Sequence, residues 1–363
     1  MTIQHLVPAK DLGQFVAELF EAAGLSVRAA ERVSDALIEA DLSGRSSHGV
    51  LQADNYLARL VAGAMSTAEQ PRIISESGGA VVLDAAGMEG HLAAEEAIAI
   101  AIAKAQDNGV AAVAVRRGQH MGVAGRYVRM AAEAGCAALA MGNTKPVMPA
   151  PGGAERLVGT NPIAIGIPTT DHPIVLDMAT SAGTYGRIRH AHAAGQTLPE
   201  GWALDAYGRP TTDPAAAMKG LLLPMGGAKG FALSFAIDLM AGLLSSGAWG
   251  AKLGELDDDT TKPQLSSYLF IVLDIAHFRP LSDFLEEADE AVRRVRQSRR
   301  AEGVERLFTP GERSAEALEK NNGMIELAPT VAHALRERAQ ALGVAIPRFM
   351  EEHPTAEAVP RQS

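Results

Sequence analysis

The chain has little cysteine: one residue, Cys136, among 363. It cannot form an internal disulfide, and no cysteine pair of a metal-binding kind exists, so no metal is expected. A reducing compartment fits, and the cytoplasm is the expected location. The N-terminus MTIQHLVPAKDLGQF lacks the apolar run of a secretory signal. Aromatic residues make up only 4% of the chain, against 47% hydrophobic residues overall and 36 glycines. Such a core relies on close helix–sheet packing and not on large rings. Long apolar runs are missing too. The most apolar stretch, GFALSFAIDLMAGLLSSGAWG at 230–250, is broken by Asp238 and shortened by glycine and serine. It reads as a buried helix and not as a membrane span. Basic charge is in deficit, with 33 Lys and Arg against 43 Asp and Glu, a net charge of −10. The one basic run, RRVRQSRR at 293–300, follows acidic residues on a helical pattern. It reads as a solvated helix face, basic toward the C-terminus as the helix dipole favours. Neither a nucleic-acid partner nor a membrane is expected.

Several familiar site motifs are absent. No G-x-G-x-x-G follows an expected strand, and PMGGAKGF contains Gly-Lys without P-loop spacing. There is no H-E-x-x-H and no G-x-S-x-G. A nucleotide site must therefore be built in another way.

What is present is a helical start and a layered middle. Residues 11–24 and 28–42 repeat apolar residues at helical spacing, with Asp11 and Gly24 as the expected cap and stop of the first helix. Val33, Leu37 and Ala40 share a face of the second, and 49–63 form a third helical segment. From residue 71 short strand-like runs alternate with helices at 93–109 and 123–135. Runs at 110–118, 136–143, 163–168 and 173–179 read as strands, which argues for an α/β fold. Residues 184–220 carry turn signals and read mostly as loop. A helix at 230–246, a strand in SYLFIVLDI, a helix at 281–302 and a helical tail at 331–342 complete the pattern. The expected division is a helical substrate and dimerisation part, 1–118 with 303–350, and an α/β cofactor-binding domain, 119–302. A frayed tail spans 351–363.

Four stretches carry candidate chemistry: SSHGV (46–50), GQHMGVAGRY (118–127), GGAERLVGTNPIA (152–164) and GGAKGFAL (226–233). Two hold a histidine near glycine at an element boundary, His48 and His120. Histidine suits proton transfer near neutral pH, and hydride removal from a hydroxyl carbon leaves a proton to be taken up. Each is one of ten histidines, so a structural role competes at each position. GTNP can be a simple turn or a set of backbone N–H groups facing an anion. GGAKG can be an ordinary helix start or a phosphate site with Lys229 beside it.

In this order and spacing the blocks resemble the malate/L-lactate dehydrogenase family. That family also includes ureidoglycolate and sulfolactate dehydrogenases, 2,3-diketogulonate reductase and Δ1-piperideine-2-carboxylate reductases. The similar blocks are ADLSGRSSHGV, GGAERLVGTNPIAIGIP, IVLDMATS, LPEGWALDAYGRPTTDP, LPMGGAKGFAL and FTPGE, from about residue 10 to about 345. The resemblance implies a non-Rossmann, mixed-sheet nucleotide-binding domain with helical N- and C-terminal parts. It implies NAD or NADP as cofactor, a small-molecule substrate and a homodimer. It places His48 and His120 in the active site, with His120 favoured as acid/base and His48 positioning substrate or sharing the proton. Ser47 would contact substrate or orient His48. Cofactor contacts would fall on Thr144, on Pro173, Ile174, Val175, Leu176, Asp177, Met178 and Ala179, on Ala228 and Lys229, and on Glu312, Arg313 and Ser314.

One position departs from the family pattern. Many members carry an arginine four residues after the S-H-G histidine, where this chain has Gln52, and a proline where it has Asp54. Tyr56 is retained. An arginine there would bind a substrate carboxylate bidentately, whereas glutamine supplies no charge. Gln52 is still an expected substrate contact, and Arg45 and Arg126 are the cations nearby in sequence that can replace the missing charge. The expected activity is interconversion of a small 2-hydroxy acid and its 2-keto acid. The alternatives are reduction of a cyclic imino acid such as Δ1-piperideine-2-carboxylate, and a non-catalytic dinucleotide-binding homologue.

Overall fold

The computed structural model describes residues 5–256 and 259–350. The strands are β1 (His5–Pro8), β2 (Arg72–Ser77), β3 (Ala80–Asp84), β4 (Val110–Gly118), β5 (Cys136–Gly142), β6 (Ile163–Ile167), β7 (Ile174–Met178), β8 (Ala203–Leu204), β9 (Pro210–Thr211), β10 (Leu221–Leu222), β11 (Ser266–Asp274) and β12 (Met324–Leu327). The α-helices are α1 (Ala9–Ala22), α2 (Val27–Leu42), α3 (Ala53–Val61), α4 (Gly90–Asn108), α5 (Ala124–Glu133), α6 (Tyr185–Ala193), α7 (Pro214–Lys219), α8 (Ala228–Leu244), α9 (Leu281–Gln297), α10 (Glu312–Lys320) and α11 (Pro329–Leu342).

Seven strands form one sheet in the order β2-β3-β4-β11-β5-β6-β7. Only β3 and β4 run parallel; every other pair is antiparallel. This mixed order is the non-Rossmann arrangement expected. The centre of the sheet is β11, whose run SSYLFIVLD is almost wholly buried. Its β-branched and aromatic side chains suit a strand covered on both faces. On one face α4 presents Leu92, Ala93, Ala97, Ile98 and Ala101, which join a core with Val113, Val115, Phe270 and Val272. The alanines let helix and sheet approach closely. On the other face Ile237 of α8 meets Ala114, Met141 and Leu269.

Helices α1 to α3 extend the larger core. Leu12, Phe15, Val16, Leu19 and Phe20 of α1 are buried, as are Val33, Leu37 and Ala40 of α2. Each large side chain so buried contributes roughly 1.5–3 kcal/mol. Gly24 stops α1 with φ +108°. Asp11, expected as its cap, lies inside the first turn. The chain enters α1 directly from β1, so Pro8 holds the cap position. Strand β1 pairs with β12, and Leu335 and Ala339 of α11 are buried in the same core. The C-terminal segment thus returns to the N-terminal helices. The division expected at residue 118 runs between paired strands, because β4 and β11 lie side by side in one sheet. The tail 351–363 lies outside the described residues.

The stretch 184–220, expected as loop, contains α6, α7 and a small sheet of order β10-β8-β9. The cap signals explain the difference. Thr184 accepts from the backbone of Arg187, and Asp213 accepts from Ala215 and Ala216 with Pro214 at the first helical position. Ile188, Leu198, Ala217 and Leu222 give this satellite its own core with Met148 and Val158. Helix α8 differs from expectation in another way. Its Ile237 face is buried, but Phe235, Met240, Leu243 and Leu244 are 40–57% exposed. Among the described residues no helix is long and apolar enough to cross a membrane.

Candidate active site

Two short turns after α2 position His48. Residues Ser46–His48 and Val50–Gln52 are 3-10 turns that meet at Gly49. Asp41 of α2 pins the junction, its Oδ2 accepting from Val50 N at 2.8 Å. Burial raises the Asp41 carboxyl to about 6. Ser47 Oγ lies 2.9 Å from His48 Nδ1. The amide nitrogen of Gln52 donates to Ser47 O at 3.0 Å, and the side chain is buried. Gln52 thus holds the turn by the group expected to meet substrate.

His120 follows the end of β4, and its backbone is fixed from several sides. Its N–H donates to Gln264 Oε1 at 2.6 Å. The preceding Gln119 donates from Nε2 to Ala64 O at 2.8 Å, and its carbonyl accepts from the Tyr268 hydroxyl. The imidazole Nδ1 is 2.5 Å from the hydroxyl of Tyr56 on α3. The rings of His48 and His120 lie 5.4 Å apart, centroid to centroid. Among the described residues neither Nε2 has a hydrogen-bond partner. Two imidazoles from separate parts of the sequence thus lie side by side, each with one ring nitrogen committed and one free.

Burial sets their protonation. It holds His120 well below the ordinary imidazole value, with His48 and His91 adding to the effect. Burial also lowers His48, with Asp177 opposing and Arg45 and His91 adding. Both rings are therefore neutral at neutral pH. Tyr56→Phe removes the bond that orients His120 and is expected to lower kcat by about ten-fold. An unchanged kcat in steady-state assays would show that Tyr56 does not orient the ring.

A third histidine borders the pair. His91 is buried at the start of α4, with Nδ1 2.8 Å from Glu89 Oε1. Glu89 also caps the helix, accepting from the backbones of His91 and Leu92. The His91 ring lies 5.9 Å from the Tyr56 ring. Sequence reasoning did not single out this residue, although it shares the signal of the other two, a glycine-flanked histidine at an element boundary.

The expected cofactor stretches gather along β7, the edge strand of the sheet. Asp177 Oδ2 accepts from Arg45 Nη1 at 2.7 Å and from Gly125 N at 3.0 Å, tying this strand to the His48 turn and to α5. Past the strand's end, Thr180 N donates to Thr160 O and Met225 N to Thr180 O. Thr160 N in turn donates to Thr144 Oγ1 at 3.1 Å. Thr144, the end of β7 and the start of α8 are thereby joined. Glu312, Arg313 and Ser314 sit by the middle of the strand, where Val175 N donates to Pro310 O. Within that group Glu312 is buried and bound to Thr309, Arg296 and Arg306, and the Arg313 guanidinium covers the Phe308 ring.

The cations expected to replace the missing arginine are engaged elsewhere. Arg45 pairs with Asp177, and Arg126 pairs with Glu39 and Glu95. A different group stands near the turn. Gly186, at the start of α6, packs against it, a Cβ there falling 3.8 Å from Ser47 Cβ. The next residue, Arg187, is exposed and has no ion-pair partner among the described residues.

Comparison with known proteins gives the family. Residues 7–336 match the malate/L-lactate dehydrogenase family. Malate dehydrogenase of Pyrococcus horikoshii is 33% identical over 347 residues, covering 93% of this chain and 96% of that protein. The structure of sulfolactate dehydrogenase from Methanocaldococcus jannaschii is similar with a TM-score of 0.89 at 30% identity, covering 93% of this chain and 98% of the other. That of Δ1-piperideine-2-carboxylate reductase from Pseudomonas syringae pvar. tomato has a TM-score of 0.82 at 31% identity, covering 92% and 99%. The chain belongs to the malate/L-lactate dehydrogenase family, whose members are NAD(P)-dependent oxidoreductases of 2-hydroxy and 2-keto acids.

Proposed function

We propose that this protein interconverts a small 2-hydroxy acid of the malate or lactate type and its 2-keto acid, using NAD or NADP. The observation that carries this reading is the pair of imidazoles, 5.4 Å apart, each with a free Nε2. The residues present fit a dinucleotide. Helix α8 begins without a side-chain cap, after Gly226 and Gly227 at φ +58° and +63° with open space around both. Its first backbone N–H groups and Lys229 suit a pyrophosphate. When bound, the nicotinamide supplies the hydride acceptor for oxidation and the donor for reduction.

The chain's own groups handle the proton. During oxidation His120 Nε2 accepts the hydroxyl proton as the C2–H bond breaks, while Nδ1 donates to Tyr56. During reduction the same nitrogen returns a proton to the carbonyl oxygen. His48, oriented by Ser47, holds the substrate oxygen beside it. Arg187, the neighbour of the Gly186 that packs on the His48 turn, is the cation assigned to the substrate carboxylate in this reading. Titrating absorbance of NADH and NADPH against a panel of 2-keto acids tests the proposal.

The lowered pKa of His120 gives a pH dependence of known sign. The base form persists below the ordinary imidazole range, so kcat/KM for oxidation should stay flat down through pH about 6.5 and fall only in more acid solution. Reduction, which needs the protonated form, should lose rate over the same acidic range as pH rises. An oxidation midpoint at or above the ordinary value would contradict the burial of His120 as its cause.

Reduction of a cyclic imino acid is the second reading. It is favoured by the uncharged Gln52 and by the similarity to the Pseudomonas reductase. Turnover of Δ1-piperideine-2-carboxylate against pyruvate and oxaloacetate separates the two. The exposed stripe of α8, Phe235, Met240, Leu243 and Leu244, is where a second copy would dock in a homodimer. Leu243→Glu should then shift the solution mass from twice the 38.0 kDa chain toward the single chain, read by light scattering. A mass unchanged by the substitution would place the interface elsewhere.

A further inference from the structure

A charged cavity lies where β2, β3 and β4 meet the segment after α8. Arg72 of β2 pairs in register with Asp84 of β3, and Asp84 pairs with Arg116 of β4. Paired positions share a face of the sheet, so both guanidiniums flank one carboxyl. Arg116 reaches Asp84 Oδ2 at 3.1 Å and Arg72 reaches it at 4.0 Å. Strict alternation would send Arg117 to the opposite face. Its φ of +54° breaks the alternation, and Nε donates to Asp84 Oδ1 at 2.7 Å.

Charge balance does not explain this arrangement. Asp84 is buried and is already satisfied by Arg116, Arg117 and the Ala86 N–H. Three guanidiniums less one carboxylate leave a charge of +2. The Arg72 side chain is 73% exposed and opens onto a concavity of about 430 Å³. Two further walls, Ser246 and Leu265, also take left-handed φ values, +55° and +59°. Three of the five non-glycine residues with positive φ among those described therefore line one cavity. Such strain is costly and persists where the surrounding structure enforces it, commonly at binding sites.

We propose that this cavity is an effector site for a small polyanion, a di- or tricarboxylate or a phosphate-bearing metabolite, separate from the His48–His120 pair. Guanidinium forks match both carboxylate and phosphate oxygens. Two chain segments connect the cavity to catalysis. Arg117 lies three residues before His120, and Leu265 follows Gln264, whose side chain accepts the His120 N–H. A ligand held by Arg117 against the Leu265 wall thus acts on both supports of that backbone.

Calorimetric titration with citrate and with pyrophosphate, at fixed ionic strength, tests the site. Wild type should show saturable one-site binding with at least one probe. Arg72→Glu should weaken it at least ten-fold without lowering Tm, since Arg72 is not needed to balance Asp84. The double variant R72Q/R117Q should abolish it. Kcat/KM should change over the same concentration range in wild type and not in Arg72→Glu. The site is overturned if neither probe binds, if Arg72→Glu binds as wild type does, as anion capture at the cofactor or substrate pocket would give, or if binding leaves kcat/KM unchanged.

Discussion

His120→Ala should lower kcat by about 10²- to 10⁴-fold, the range that a positioned general acid or base contributes. Reduced-cofactor binding should remain close to wild type, because the stretches proposed to hold the dinucleotide lie along β7 and at the start of α8. The size of the effect follows from the geometry. His120 is oriented by Tyr56 at 2.5 Å, has its pKa lowered by burial, and keeps Nε2 free beside the His48 ring. Alanine removes the proton acceptor, and His48 is tied through Nδ1 to Ser47 on a different turn. Rapid-mixing measurement of hydride transfer together with fluorescence titration of NADH and NADPH separates chemistry from binding. A fall in affinity with kcat preserved would assign His120 to the cofactor and not to the proton.

Gly90→Ala should cost about 10²-fold in kcat, the penalty for displacing a catalytic group by about 1 Å. Gly90 opens α4 and touches no expected substrate or cofactor residue. A Cβ there would lie 2.0 Å from the His120 carbonyl oxygen and 2.9 Å from that of Gln119. Both contacts are backbone atoms, so they cannot move aside as a flexible side chain does. The clash must be relieved by shifting α4 or the segment that carries His120. Thermal unfolding distinguishes these outcomes from global loss of structure. The expected variant is folded, somewhat less stable and slow. Wild-type kcat in a folded Gly90→Ala protein would show that the His120 segment tolerates displacement.

Much of the framework was legible in the sequence because its signals are periodic and local. The strands at 110–118 and 136–143 and the helix at 93–109 reappear as β4, β5 and α4 within a few residues. Caps were less legible than periods. TTDP, within the stretch expected mostly as loop, is the capped start of α7, and the entry to α1 depends on pairing of β1 with β12, more than 300 residues away. The position of β11 between β4 and β5 also depends on long-range pairing. No composition or spacing near residue 118 signals that the sheet continues across it.

The site shows the same division. His48, Ser47 and His120 were identifiable by residue type and by resemblance, and the fold brings them together. The partners of His120 were not identifiable as such, because Tyr56 and Gln264 reach it through tertiary packing, and the Glu89–His91 pair borders Tyr56 in the same way. The charges were misjudged for a related reason. Arg45 and Arg126 are near the histidines in sequence, but Asp177 and the Glu39–Glu95 pair claim them in space. Arg187 is more than 130 residues from His48 in sequence, yet it follows Gly186, which packs against Ser47 in the first turn of α6.

The most direct test of the proposed activity is absorbance decay of NADH and of NADPH with pyruvate, oxaloacetate and other 2-keto acids, run beside Δ1-piperideine-2-carboxylate. The account predicts that at least one 2-keto acid is reduced, with turnover exceeding that of the cyclic imine. Faster reduction of the imine, or no oxidation of either cofactor by any keto acid, would contradict it.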